Sequence, residues 1–228
     1  MNFNPISNIQ LPLFVYGEPT ANLQEVLPIV WNATEALAAP ESVTRHHGID
    51  ILVELGVQRS SPLVAYMVAT CLNDPDIYIR RRVVYILADL LVIDPITGQA
   101  AEAVRKTVTN YLHNMQEDTI YGLLEVAVMD PGVEKPVWLL LNACPSAGRY
   151  LGDILSQYKH SASIRQKAIY YVGVVGFTEA LPALERLLNR LEARSNGQYA
   201  MPFAPASLKS DDEIIPALRI AISLLSAH

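Results

Sequence analysis

The sequence predicts an all-α fold, an α-solenoid of about five helix pairs stacked side by side. Two observations carry this expectation. Hydrophobic residues make up 51% of the 228 positions but aromatic residues only 7%, so aliphatic side chains supply the core, as in closely packed helices. In addition, one apolar spacing recurs along the chain. Ile164, Ala168, Val172 and Val175 lie at offsets 0, 4, 8 and 11 and share one helical face. Ile79, Val83, Leu87 and Leu90 repeat the spacing, as do Ile214, Leu218, Ile222 and Leu225. Thr44, Gly48, Leu52 and Leu55 form a weaker copy, and Ile120, Leu124 and Val128 a fifth whose last place falls to Pro131.

Taken in order, residues 1–20 read as an extended cap. Pro5, Pro12, Gly17 and Pro19 interrupt any helix, while Ile9, Leu11, Leu13, Phe14 and Val15 are apolar. A single solenoid domain is expected over 21–228. Its first helices are Asn22–Ala38, Pro62–Asn73, Gly98–Asn114 and Glu179–Arg194, with a further one inside Pro136–Lys159 split near Pro145 and Gly148. The recurring copies supply the second helices. Turns are marked by Asn73-Asp-Pro-Asp76 and Asp130-Pro-Gly132. Ser163 and Gln166 form a capping-box signature, as do Ser210 and Glu213; Gly176 permits a sharp exit, and Pro182 suits the first turn of the next helix. An inserted loop is expected at 195–209, with Tyr199, Met201 and Phe203 available to dock on the array or on a partner.

These residues resemble a known family. Leu72-Asn-Asp-Pro-Asp76-Ile-Tyr-Ile-Arg80 is similar to the HEAT repeat, where an Asp-Pro-Asp turn leads into a helix opening with Val/Ile-Arg. Ile164-Arg165…Ala168…Val172-Gly173…Gly176…Ala180-Leu-Pro182 resembles the bacterial short-HEAT subtype found in phycobilin lyases. Arg45 holds the same place after Thr44, whereas Tyr121 and Ile215 depart from it. The resemblance implies a right-handed superhelix whose second helices line a concave surface. It also implies that Arg45, Arg80 and Arg165 form a structural ladder, each bonding a turn carboxylate or carbonyl, with Asp74 or Asp76 as the partner of Arg80.

If offsets 0, 4, 8 and 11 face inward, the outward meridian lies near offsets 2 and 6, since each residue turns the helix by ~100°. The stripe so named holds His46 and Asp50, Arg81 and Tyr85, Gly122 and Val126, Gln166 and Tyr170, Pro216 and Ile220. Of these, His46, Asp50, Arg81, Tyr85, Gln166 and Tyr170 are the candidate partner-binding residues, flanked by Arg82 and Lys167, because Tyr and Arg are frequent interface anchors. The partner expected is another protein, with no cofactor, and the leading function is that of a non-enzymatic scaffold or adaptor.

Two further classes follow from the resemblance: a tetrapyrrole-handling enzyme or chaperone of the phycobilin-lyase type, and a nucleic-acid-binding or repair array. The formal net charge of −6 and the short basic cluster Arg80-Arg81-Arg82 disfavour the last. His46 and His47 point ~100° apart on a helix and chelate poorly together; no CxxC occurs, and without a His-Glu pair the iron-binding deoxyhypusine hydroxylase pattern is missing. No Gly-x-Ser-x-Gly, P-loop or Gly-x-Gly-x-x-Gly is present. Asp211-Asp212-Glu213 reads as a charge cluster at a helix start. Cys71 and Cys144 are expected to be reduced and buried, and the chain cytoplasmic, with no basic leader at Met1-Asn-Phe-Asn-Pro5 and no apolar run of ~20 residues.

Overall fold

The computed structural model describes residues 23–92, 98–195 and 214–227. Among them are 11 α-helices and no β-strand. They are α1 Leu23–Ala36, α2 Ser42–Glu54, α3 Pro62–Thr70, α4 Ile77–Leu91, α5 Glu102–His113, α6 Glu117–Met129, α7 Glu134–Asn142, α8 Ala147–Ser156, α9 Ala162–Val175, α10 Leu181–Ser195 and α11 Ile215–Ser226. The expected first helices correspond to α1, α3, α5 and α10, and the fourth is split by the turn at Pro145 into α7 and α8. The extended cap at 1–20, most of the loop at 195–209 and the capping box Ser210–Glu213 lie outside the described residues.

The chain divides into two compact units. In the first, which takes residues 23–71 and 89–111, α1 and α2 pack directly on each other. Gly48 makes this possible: a Cβ there would lie 2.7 Å from the Ala33 carbonyl oxygen and 3.0 Å from the Ala36 Cβ. Ser61 caps α3 by accepting from the Val64 N–H at 3.2 Å, and Pro62 occupies the first turn, where no N–H is needed. Arg59 ties the unit together. Its guanidinium pairs with Asp89 and donates to the Gly98 carbonyl at 2.8 Å, while its own carbonyl accepts from the Ala101 N–H at 3.1 Å.

The second unit takes residues 72–88 and 112–227. Here α8 packs on α9 and α10 on α11 as pairs; α6, α9 and α11 touch in that order, and α8 touches α10. Ile79, Val83 and Leu87 are fully buried, as are Ala168, Val172 and Leu218; Leu90, on the same face of α4 but counted with the first unit, is fully buried too. Each aliphatic chain of Val or Leu size removed from water contributes about 1.5–3 kcal/mol. Gly176 ends α9 in the left-handed region (φ 88°), its N–H donating to the Val172 carbonyl at 3.2 Å, and Pro182 follows in the first turn of α10. Cys71 and Cys144 are buried free thiols.

The structure corrects two expected faces and one expected cap. In α2 the buried residues are Arg45, Gly48, Ile49 and Leu52, while Thr44 is exposed and Leu55, just past the helix, is 39% exposed. The face is rotated by about one residue because the close contact at Gly48 sets which side meets α1. In α6, Gly122 and Val126 are buried instead of outward, and Val128 is 40% exposed. That helix touches α7, α8 and α9, and the Arg80 side chain lies over Gly122, so little of its surface stays free. In α9 the cap is Ser161, whose Oγ accepts from the Ile164 N–H at 3.4 Å, in place of Ser163, which lies inside the first turn. Ser161 has the extended backbone a cap requires.

Gly48→Ala places a methyl against the α1 backbone and is expected to lower stability by roughly 1–3 kcal/mol, the usual cost of overpacking. Urea melts compared with Gly56→Ala, where the added methyl has open space but φ is positive, separate crowding from backbone strain.

Candidate functional site

The turn from Asp130 to Glu134 joins α6 to α7 and organises the candidate surface. Asp130 caps the short 3-10 segment Pro131–Val133, its Oδ1 accepting from the Gly132 N–H at 2.8 Å. Its Oδ2 accepts from Arg81 Nε at 2.5 Å and from the Tyr85 hydroxyl at 3.3 Å. Four residues on, Glu134 repeats the arrangement on its other side. Its Oε1 accepts from Lys167 Nζ at 2.7 Å and its Oε2 from the Tyr170 hydroxyl at 3.3 Å. In each group the cation and the phenol stand one helical turn apart, on α4 or on α9, and therefore share a face. The Arg81 guanidinium lies 5.7 Å from the Tyr85 ring centre, and Lys167 Nζ lies 5.5 Å from that of Tyr170.

The electrostatics follow from these contacts. Hydrogen bonding to Arg81, and then to the Gly132 amide, holds the Asp130 carboxyl below its usual range; Lys167 does the same for Glu134. Both carboxylates are ionised at neutral pH, so each cation on this strip is matched by an anion. Tyr85 and Tyr170 are each 38% exposed, which leaves amphipathic rings at the surface with their hydroxyls oriented. Behind them Tyr171 is fully buried, forms an edge contact with Tyr170 at 5.2 Å, and has a hydroxyl without a hydrogen-bond partner among the described residues. Burial pushes the Tyr171 phenol well above its ordinary range. Val128, Ser163, Gln166, Lys167 and Tyr170 line an adjoining shallow cleft of about 350 Å³.

Arg81, Tyr85, Gln166 and Tyr170 thus lie on the second unit, with Gln166 half-buried and the other three exposed. His46 and Asp50 belong to the first unit and are half-buried. Asp130 and Glu134 were not legible as site residues from helical periodicity, because Asp130 lies in the turn after α6 and Glu134 is the first residue of α7, outside the recurring apolar copies. The signal available was an acidic turn between two segments that each carry a Tyr and a cation one turn apart.

The three repeat-position arginines meet backbone carbonyls, Arg45 and Arg80 in a turn and Arg165 in the last turn of α8. Arg45 Nη1 donates to the carbonyls of Ala39 at 2.9 Å and Pro40 at 2.8 Å. Arg80 Nη1 donates to the Asp74 carbonyl at 3.0 Å, and its Nη2 to Glu125 Oε2 at 2.7 Å. Arg165 Nε donates to the Leu155 carbonyl at 3.0 Å, and its guanidinium lies 5.0 Å from the Tyr158 ring centre. The carboxylates of Asp74 and Asp76 hold their own turn: Asp74 Oδ1 accepts from the Asp76 N–H at 2.8 Å, and Asp76 Oδ1 from the Tyr78 N–H at 2.9 Å.

Among the described residues, no group of three or more His, Cys, Asp or Glu side chains could hold one metal ion, and no helix is long and apolar enough to cross a membrane. Neither the family models nor the curated proteins compared with the chain gave a match.

Substitution of Asp130 by Asn is expected to leave the thermal melting temperature nearly unchanged, since its pairs are solvated. The same change should speed amide hydrogen exchange at 130–134, which separates positioning of the turn from stabilisation of the fold.

His160 makes the stability of the fold depend on pH. Its ring lies 4.9 Å from that of Tyr121 on α6, and its Nε2 is buried without a partner among the described residues. Burial and then Lys159 lower its pKa, Arg165 acts in the same direction, and Glu117 opposes them. The unfolded chain therefore takes up this proton first. The stability associated with neutral His160 is present above about pH 6.5, the ordinary imidazole value, and is lost as pH falls through the lower folded value. Thermal melts from pH 7.5 to 5 should show this loss, and His160→Gln should flatten it.

Proposed function

We propose that the chain is a HEAT-like α-solenoid that works as a protein-binding scaffold, with the strip Arg81–Tyr85 and Lys167–Tyr170 as its recognition surface. The solenoid reading is supported by helix pairing, by the order α6, α9, α11 within the second unit, and by arginines at three equivalent positions that bond backbone carbonyls preceding their own helices. The observation that carries the binding reading is the double tyrosine–cation–carboxylate arrangement about the 130–134 turn. Two half-exposed phenol rings are held in fixed orientations, so little side-chain entropy is lost when a partner covers them.

The charge balance of the strip shapes the partner it would take. Arg81 and Lys167 already face Asp130 and Glu134, so a strongly acidic ligand must displace an existing ion pair. A polar or aliphatic protein surface that packs on the tyrosine rings does not. The mechanism is shape matching around two aromatic anchors, with hydrogen bonds to the phenol oxygens at the rim.

The test places a photo-crosslinking residue at position 85 or 170, with exposed Val43 and Tyr78 as control positions. Adducts from the native proteome should form at 85 and 170, and Arg81→Ala/Tyr85→Ala/Tyr170→Ala should reduce capture of the same protein at least tenfold while the helical circular dichroism is retained. Equal crosslinking at the control positions, or unchanged capture by the triple variant, would sink the reading.

A further inference from the structure

A second surface lies in the first unit, where Leu27, Val30, Trp31, Leu63 and Met67 are among the residues that line an apolar groove of about 600 Å³. The α1 side is open to solvent: Trp31 is 64% exposed and Leu27 36%. The polar groups at its rim bond to one another. The Trp31 indole N–H donates to Glu35 Oε1 at 2.9 Å, and the Thr34 hydroxyl donates to the Trp31 carbonyl at 2.8 Å. What the groove offers a ligand is therefore mostly aliphatic and aromatic surface, and its occupant needs apolar side chains on one face more than charge or hydrogen-bonding groups.

We propose that the occupant is the chain's own segment 9–15, Ile9-Gln-Leu-Pro-Leu-Phe-Val15. Pro12 disfavours a helix there. In an extended chain, alternate residues share a face, so Ile9, Leu11, Leu13 and Val15 present one apolar edge. The distance fits as well. The described chain begins at Leu23, the first residue of α1, and α1 itself forms one wall of the groove. Residues 16–22, at up to about 3.4 Å each when extended, reach farther than the helical rise of about 1.5 Å per residue that separates Leu23 from Leu27 and Trp31. Covalent attachment raises the local concentration of so close a segment into the millimolar range, so even a weak site fills. The segment would act as an internal apolar ligand that keeps the first helix pair from associating with other chains.

The experiment uses the full chain with Trp138→Phe, which leaves Trp31 as the reporter. Removing residues 1–16, or introducing Leu11→Asp with Leu13→Asp, should move Trp31 emission to longer wavelength and raise binding of an apolar fluorescent dye at least threefold. A synthetic peptide of residues 5–18 should reverse both changes in the truncated chain. Independently of either variant, Met67→Cys combined in turn with Leu11→Cys, Leu13→Cys or Val15→Cys should give an intramolecular disulfide under mild oxidation in at least one pairing. The proposal is overturned if no pairing closes. It is equally overturned if Trp31 emission and dye binding stay unchanged in both variants, including the case where Trp31→Glu converts a dimer to a monomer, which would assign the groove to a second copy of the chain.

Discussion

A helix end is a place where backbone carbonyls lack partners within the helix. This chain has many such ends, because its helices are short: α3 has 9 residues, and α4, among the longest, has 15. Burying those ends against neighbouring helices requires donors that reach the turn carbonyls without filling the space between pairs. Arg45, Arg80 and Arg165 meet that requirement. Arg45 and Arg165 are 7% and 3% exposed, yet Arg45 faces two carbonyls in the turn before its own helix and Arg165 the Leu155 carbonyl in the last turn of α8. A planar group with several fixed donors can serve two acceptors at once, as Arg45 does with Ala39 and Pro40 and Arg80 with Asp74 and Glu125, which an ammonium does less well. The apolar faces can then pack closely because the polar ends of the helices are satisfied.

The same economy of short turns shapes the surface. The turn after α6 and the first residue of α7 place two carboxylates four residues apart, and each meets a cation and a phenol from a different helix. Partly solvated ion pairs of this kind contribute little to stability. Their consequence is geometric: Tyr85 and Tyr170 keep fixed hydroxyl positions, while the strip between them carries no surplus of charge. A surface with oriented aromatic rings and balanced charge differs from the basic groove that phosphate binding demands. It also differs from the apolar groove beside Trp31, where the available contacts are almost wholly hydrophobic.

Much of the architecture was legible in the sequence. Offsets 0, 4, 8 and 11 named the fully buried face of α4, the Asn73–Asp76 and Asp130–Gly132 turns stand where proline and acidic residues marked them, and the break between α7 and α8 falls at Pro145. Sequence reading failed where two helices meet unusually closely or where one helix is surrounded. The face of α2 is turned by the contact of Gly48 with the Ala33 carbonyl, and α6 hides Gly122 and Val126 because it touches three other helices as well as lying under Arg80. Periodicity reports which residues share a side of a helix. It carries no information about how many sides are covered.

By itself, then, the sequence determined the all-α class, the positions of most helices and turns, and the residue types offered at the surface, because these depend on local propensity and on spacing within one helix. The tertiary structure decided which side chains meet. In sequence Arg81 stands on the outward stripe with the tyrosines and Lys167 at its side, and the spacing names no partner for either; in the folded protein they are paired with Asp130 and Glu134, carboxylates that lie distant in the chain. The physical reason is that ion pairing depends on separations of a few ångströms in space, which packing sets and helical spacing does not.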